Sequence, residues 1–212
     1  MTLSGDPVGV GLIASLAHPG GNVTGITDDA TALSAKRLQL LKQMLPTAST
    51  IAILWNAGDL AMNLRVQEID RAANVLGVSL RKYGVREPDD FEMAFKAMDR
   101  QRPDALFMVT DAFTNLNRRL VLDFVEKRRI PAMYEYGSLV RDGGLIAYGP
   151  SLEDMFQRAA IFIDKMLKGV EVSDLPVEEP TKFYLLINLR TAKALGLTIP
   201  QSLLLRADEV IQ

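Results

Sequence analysis

Ile51-Ala52-Ile53-Leu54-Trp55-Asn56 is apolar at each position until it stops at a polar residue. Branched at Cβ twice and too short for a buried helix, the run reads as a parallel strand covered on both faces. Its last residues, Trp55 and Asn56, then sit at the carboxyl edge of a sheet. In open α/β sheets that edge is where small molecules bind, so the strand predicts a fold and the side on which to look for function.

Outward from this strand the chain alternates. Asp59 opens a helix to about Leu76, with Leu64, Ile69, Ala73 and Leu76 inward and Gly77 after its end. Val78–Tyr83 alternates as a strand, Phe91, Phe95 and Met98 mark a helix after Pro88, and Ala105–Thr110 repeats the buried-strand pattern. Leu116–Arg128 and Pro131–Tyr134 complete a β, α, β, α, β, α, β rhythm over 51–136, which predicts right-handed crossovers and a parallel sheet with flanking helices. Upstream, Ser34 is expected to cap a helix through Leu45, and Asp6-Pro7 to open a short helix as far as Ala17. Asn22–Ile26 resumes as a brief extended segment. Such an opening has no strand of its own, which is unusual for an α/β domain. Downstream of Gly143-Gly144 the rhythm changes to a strand at Leu145–Tyr148, a helix from Pro150-Ser151 to Gly169, a proline-rich acidic loop over 170–181, a strand at Phe183–Leu189, and two short helices at Thr191–Leu195 and Pro200–Ala207.

Composition narrows the function. The 212 residues hold 24 Lys plus Arg against 26 Asp plus Glu, a net charge of -2 with both signs dispersed, so no nucleic-acid surface or polybasic anchor is expected. Without cysteine there is no disulfide, thiolate metal site or cysteine nucleophile. No apolar run approaches the roughly 20 residues of a membrane span, and Met1-Thr2-Leu3-Ser4-Gly5-Asp6-Pro7 has neither the basic start nor the apolar core of an export signal.

Catalytic motifs are sparse. Gly9-Val10-Gly11-Leu12-Ile13-Ala14 fits the dinucleotide fingerprint in letters, but that chemistry needs a buried strand running into the turn, and the residues before Gly9 are not one. His18, the sole histidine, sits in a turn with no plausible partner for metal or nucleophilic chemistry. Asp111 could suggest a receiver-type phosphoacceptor, but the acidic pair and lysine which that site needs are missing at the other strand ends. Asn56, Asp111 and Tyr134 each follow a strand of the same sheet, with Phe113 and Tyr136 nearby, and form the candidate constellation. Each member also reads as a loop cap. Asp6 reads as a helix cap, or as a ligand contact if that helix faces a cleft, where exposed amides would favour a carboxylate. No cofactor and no metal are expected, and the chain is read as a binder rather than an enzyme.

Six stretches in order carry a resemblance: Gly5–Gly9, Pro19–Gly25, Ile53–Asn56, Gly143–Pro150, Asp174–Glu178 and Asn188–Pro200. Together they resemble the ABC-transporter substrate-binding proteins of the tryptophan/tyrosine-binding kind, a branch of the type I periplasmic-binding-protein fold. The resemblance implies a two-lobed binder that closes on a small amino-acid-like ligand, aromatic in kind, and delivers it to an ABC permease from the periplasm or cell surface. It implies one complete lobe, 27–142, plus the remnant of a first lobe at 1–26 and 143–189, followed by a helical segment at 190–212. Family members resembling this chain begin with an export signal and a βαβαβ stretch, so the chain is expected to be truncated at its N-terminus and to self-associate through its first-lobe remnant. Carried over by position, the ligand-binding set is Asp6, Asn22 and Thr24 from one edge, Asn56, Asp111, Tyr134 and Tyr136 from the other, and Tyr148 at the return crossing. In such a binder a carboxylate meets the ligand's ammonium group and aromatic rings meet its side chain. Two rivals remain, a nucleotide-dependent enzyme on a doubly wound sheet and the ligand-sensing module of a regulator.

Overall fold

The alternation of buried strands and amphipathic helices builds one seven-stranded sheet. The computed structural model describes residues 1–2 and 4–212. The strands are β1 (Thr50–Asn56), β2 (Ser79–Val85), β3 (Ala105–Met108), β4 (Ala132–Tyr134), β5 (Ile146–Gly149), β6 (Tyr184–Asn188) and β7 (Glu209–Ile211), in the spatial order β2-β1-β3-β4-β5-β6-β7. All neighbours are parallel except β5 and β6. The strand order turns back between β1 and β3, and in open α/β sheets a crevice forms outside the carboxyl ends at such a place.

Strand parity assigns the two faces. Ile51, Ile53, Phe107, Met133, Ile146 and Ile187 point to one, where α1 (Ala30–Met44), α2 (Leu60–Leu76), α8 (Leu189–Leu195) and α9 (Gln201–Leu204) contribute Leu38, Leu41, Ile69, Ala192 and Leu203. Ala52, Leu54, Leu106, Met108 and Ala147 point to the other, against α3 (Pro88–Arg100), α5 (Arg118–Arg128) and α6 (Gly137–Arg141). Asp59 caps α2 by accepting from the amides of Ala61 and Met62, and Gly77 ends it in the left-handed region at φ 64°. A cap of this kind contributes about 1 kcal/mol.

A smaller third cluster lies beside the sheet. Ile26, Leu175 and two residues of α7 (Leu152–Leu167), Met155 and Phe162, form it. It is laced by Thr24 Oγ1 donating to the Leu175 carbonyl at 2.7 Å and by Glu178 N–H donating to Gly25 O at 2.9 Å.

The structure corrects several expectations. Residues 7–17 form successive turns and not a helix; Asp6 Oδ1 accepts from Gly9 N–H at 2.7 Å and closes the first of them. The helix expected from Ser34 starts four residues earlier, after Asp29 at φ 49°, and Ser34 lies buried inside it, donating back to Ala30 O. The helix expected over 116–128 is α5, starting two residues later at Arg118, and a further short helix, α4 (Ala112–Leu116), precedes it across Asn117. Residues 143–189, expected apart with the first 26, supply β5 and β6 to the main sheet, and the expected helical end at 190–212 finishes in β7.

Candidate functional site

Three strands deliver polar residues to the carboxyl edge. Asn56 ends β1, Thr110-Asp111 follows β3, and Glu135-Tyr136 follows β4. A cavity of about 890 Å³ opens there, floored by Arg65, Thr110, Asp111, Asn115 and Tyr136. Its apolar wall is Met62 from α2 with Leu152 and Phe156 from α7, and Ser4, Gly5 and Val10 of the opening segment close the far side.

Asp111 is held rigidly. Its Oδ1 accepts from Thr114 N–H and Thr114 Oγ1, both at 2.8 Å, and its Oδ2 accepts from Asn56 Nδ2 at 2.7 Å. Asn56 does not border the cavity; it orients the carboxylate that does.

Two residues of the cavity lining, Arg65 and Asp28, belong to a group of four buried charges. Arg65 Nη1 donates to Glu135 Oε2 at 2.8 Å and to Thr110 O at 3.1 Å, and its Nη2 reaches both oxygens of Asp28, the closer at 3.2 Å. Arg37 Nη1 donates to Glu135 Oε1 at 3.3 Å and to Ala30 O at 2.9 Å, and its Nε to Tyr148 O at 2.7 Å. Tyr136 closes the set, its hydroxyl donating to Asp28 Oδ2 at 2.6 Å. Two cations meet two anions, so the group is neutral, and that balance is what makes its burial tolerable; removing one partner from such a pair typically costs about 3–5 kcal/mol. Burial opposes the charge on Arg65, but Glu135 and Asp28 outweigh it and raise its pKa. Burial pushes Glu135 above the usual carboxylate range, against the pull of Arg37 and Arg65. The Tyr136 hydroxyl is raised well above 10.0 by burial first and then by Asp28 and Glu135, so it stays a hydrogen-bond donor.

Of the residues named from sequence, Asp111 and Tyr136 border the cavity, and Asn56 stands behind Asp111. Tyr134 does not reach it. Its parity turns it to the α5 face, fully buried, beside a separate hollow of about 480 Å³ near Ala132 and Leu145 at the strands' amino ends. Tyr148 packs against the opposite face near Phe183 and offers only its carbonyl, to Arg37. Asp6 borders a different hollow, Asn22 is exposed, and Thr24 is spent on Leu175. Trp55 packs on the sheet face and donates Nε1–H to Asn63 Oδ1 at 2.8 Å, away from the cavity. Sequence reasoning missed Asp28, Arg37, Arg65 and Glu135. The signal was a charge on an apolar stripe: Arg65 is in register with Ile69, Ala73 and Leu76 on α2, and Arg37 with Ser34, Leu41 and Met44 on α1. A charge so placed requires a buried partner. Among the described residues no group of acidic or histidine side chains could hold a metal ion, and no helix is long and apolar enough to cross a membrane.

Comparisons with known proteins converge. A family model described as ABC transporter substrate binding protein matches residues 1–211. A curated relative, the tyrosine-binding protein of Clostridioides difficile (strain R20291), is 27% identical over 197 residues, and the chain spans 56% of that relative's length, or 93% of its own. Among solved structures, an ABC domain in complex with L-Trp from Streptococcus pneumonia superposes with a TM-score of 0.89 at 27% identity, covering 97% of this chain and 70% of that one. A ligand-free, open substrate-binding protein with adhesive properties from Clostridium difficile gives 0.68 at 25% identity, covering 99% and 70%.

Proposed function

We propose that this chain, which belongs to the ABC transporter substrate-binding protein family, binds an aromatic amino acid in the cavity at the carboxyl ends of β1, β3 and β4. The observation that carries this reading is the pairing of an oriented carboxylate with an apolar wall. Asp111, fixed by Asn56 and Thr114, has the charge to receive an ammonium group, while Met62, Leu152 and Phe156 offer a ring-sized apolar surface opposite. The tyrosine-binding relative and the complex with L-Trp support the same ligand class. The closer superposition on that complex than on the open, ligand-free protein supports an arrangement resembling the bound one.

In this reading the sheet of 50–211 is one lobe, and residues 1–28 with α7 are the facing part of the cleft. The role is capture, not chemistry, carried out in the periplasm or at the cell surface, and the partner that receives the ligand is an ABC permease. Self-association through α7 belongs to the same proposal, because that helix keeps an exposed apolar stripe.

Isothermal titration calorimetry with L-tyrosine, L-tryptophan and L-leucine tests the ligand class. Saturable heat is expected with the aromatic pair and at least tenfold weaker binding in Asp111→Asn, on the order of 1.4 kcal/mol. Equal affinity for leucine, or no saturation with either aromatic, would overturn the reading.

A further inference from the structure

The four buried charges do more than balance one another: each arginine also ends on a point where the chain passes between the sheet and the small cluster beside it. The first passage runs through Ile26–Ala30, where Ser4 and Glu178 pair with Thr27 and Ile26 before α1 begins. The second runs through Tyr148–Pro150, where β5 hands over to α7. Arg37 holds both at once, through Ala30 O and Tyr148 O. Arg65 holds the first through Asp28, and a Cβ on Gly5 would lie 2.1 Å from its Nη2, so the opening segment rests directly on the guanidinium. At Gly149 a Cβ would lie 2.1 Å from Glu135 O and 3.3 Å from Arg37 Nη2, so the second passage is packed onto the same group.

From these contacts we infer that Asp28, Arg65, Glu135 and Arg37 form the anchor of both passages and act as positioning residues for the Thr110–Asp111 corner of the cavity. Glu135 is the centre, since it is the one anion shared by the two arginines. Arg65 carries the effect to the cavity because the Nη1 that meets Glu135 also meets Thr110 O, the residue before Asp111. Tyr136 carries it by a second route, joining the cavity floor to Asp28. A movement of either passage would therefore shift the corner that faces a ligand, and a ligand at that corner would bear on both passages. Glu135 and Arg37 are outside the cavity lining and act on it through Arg65 and Asp28, which border it. The anchoring concerns the chain by itself; only the consequence for a ligand rests on the proposed binding role.

Amide hydrogen exchange on the ligand-free protein tests the anchor without invoking any ligand. In Glu135→Gln, which keeps the shape and removes the shared charge, the amides of Ile26, Thr27, Asp28 and Ala30 and those of Ala147–Gly149 should exchange at least tenfold faster relative to Ile53 and Leu54 of β1. Tyr136→Phe, a milder change that leaves every charge in place, should speed the first passage and leave the second within about twofold. A group that merely stabilised the fold would speed the β1 amides as much as the passages, and that uniform result in Glu135→Gln would overturn the inference. If Glu135→Gln does not fold, Tyr136→Phe decides: unchanged exchange at the first passage overturns the anchor. Loss of amino-acid binding with unchanged passage exchange would contradict the anchor and leave the binding role standing. Altered exchange in a protein that binds no amino acid would do the reverse.

Discussion

Tyr134 is fully enclosed, and its hydroxyl meets no partner among the described residues. A buried hydroxyl without a partner is a net cost, so Tyr134→Phe should raise the unfolding free energy by about 1 kcal/mol in a urea titration. A less stable variant would show that the hydroxyl is bonded. The pH dependence follows from the same burial, which pushes its pKa above 10.0. With the folded value raised, the neutral ring's contribution is intact below pH 10.0 and is lost as the pH rises past it, because ionisation favours the unfolded chain. The phenylalanine variant should therefore lose less stability between about pH 8 and about pH 11 than the parent, with Tyr136 retaining its own share of the loss. Residues at the sheet edge were legible in sequence where they follow a strand, as Asp111 does. Tyr134 was not, since the last residue of a strand still points to a face. The buried arginines were hidden within helical stripes that read as apolar, and their partners Asp28 and Glu135 lie far from them in sequence.

At the scale of the element, α7 is the anomaly. Met155, Ala159, Phe162 and Met166 pack into the small cluster, while Phe156, Ile163 and Leu167 are 56%, 55% and 83% exposed on another side. Beyond Phe156, which borders the cavity, residues 160, 163 and 167 form a stripe about 10 Å long, and an exposed apolar stripe of this kind is a surface to be covered. Its charges suit an antiparallel copy: Glu153 and Asp154 lie at its start, Lys165 and Lys168 at its end, so a two-fold pair sets opposite signs together. Sedimentation equilibrium should show a reversible dimer that Leu167→Glu or Ile163→Lys shifts to monomer. A monomer at every concentration, or a dimer indifferent to both changes, would contradict it. The helix itself was legible from its capping Ser151 and its apolar spacing. Its double-sidedness was not, because the spacing of apolar residues does not say which of them will find a partner.

For the whole molecule, the parallel sheet followed from the rhythm around Ile51–Trp55, since short buried runs separated by amphipathic helices admit few other topologies. The limits of that sheet did not follow. β5 pairs with β4 through Met133 opposite Ile146 and Tyr134 opposite Ala147, a nonlocal register that the composition change at Gly143-Gly144 disguises as a boundary. β7 is three residues long and pairs Glu209 with Leu186, too brief to show a period. The expected helix at 7–17 failed for a local reason: the Asp6 carboxylate does take the Gly9 amide as a cap would, but Gly11 at φ 73° ends helical geometry after the first turn. What the assembled sheet creates is a cavity beside Asp111, walled in part by α7, which the sequence reading placed with the opening residues in the first-lobe remnant.

A crystal structure of the protein grown with saturating L-tryptophan tests the central claim most directly. Density for the amino acid is expected in the cavity, its ammonium group within hydrogen-bond distance of Asp111 and its indole against Met62, Leu152 and Phe156. Density in the hollow beside Tyr134 instead, or an empty cavity at saturation, would contradict it.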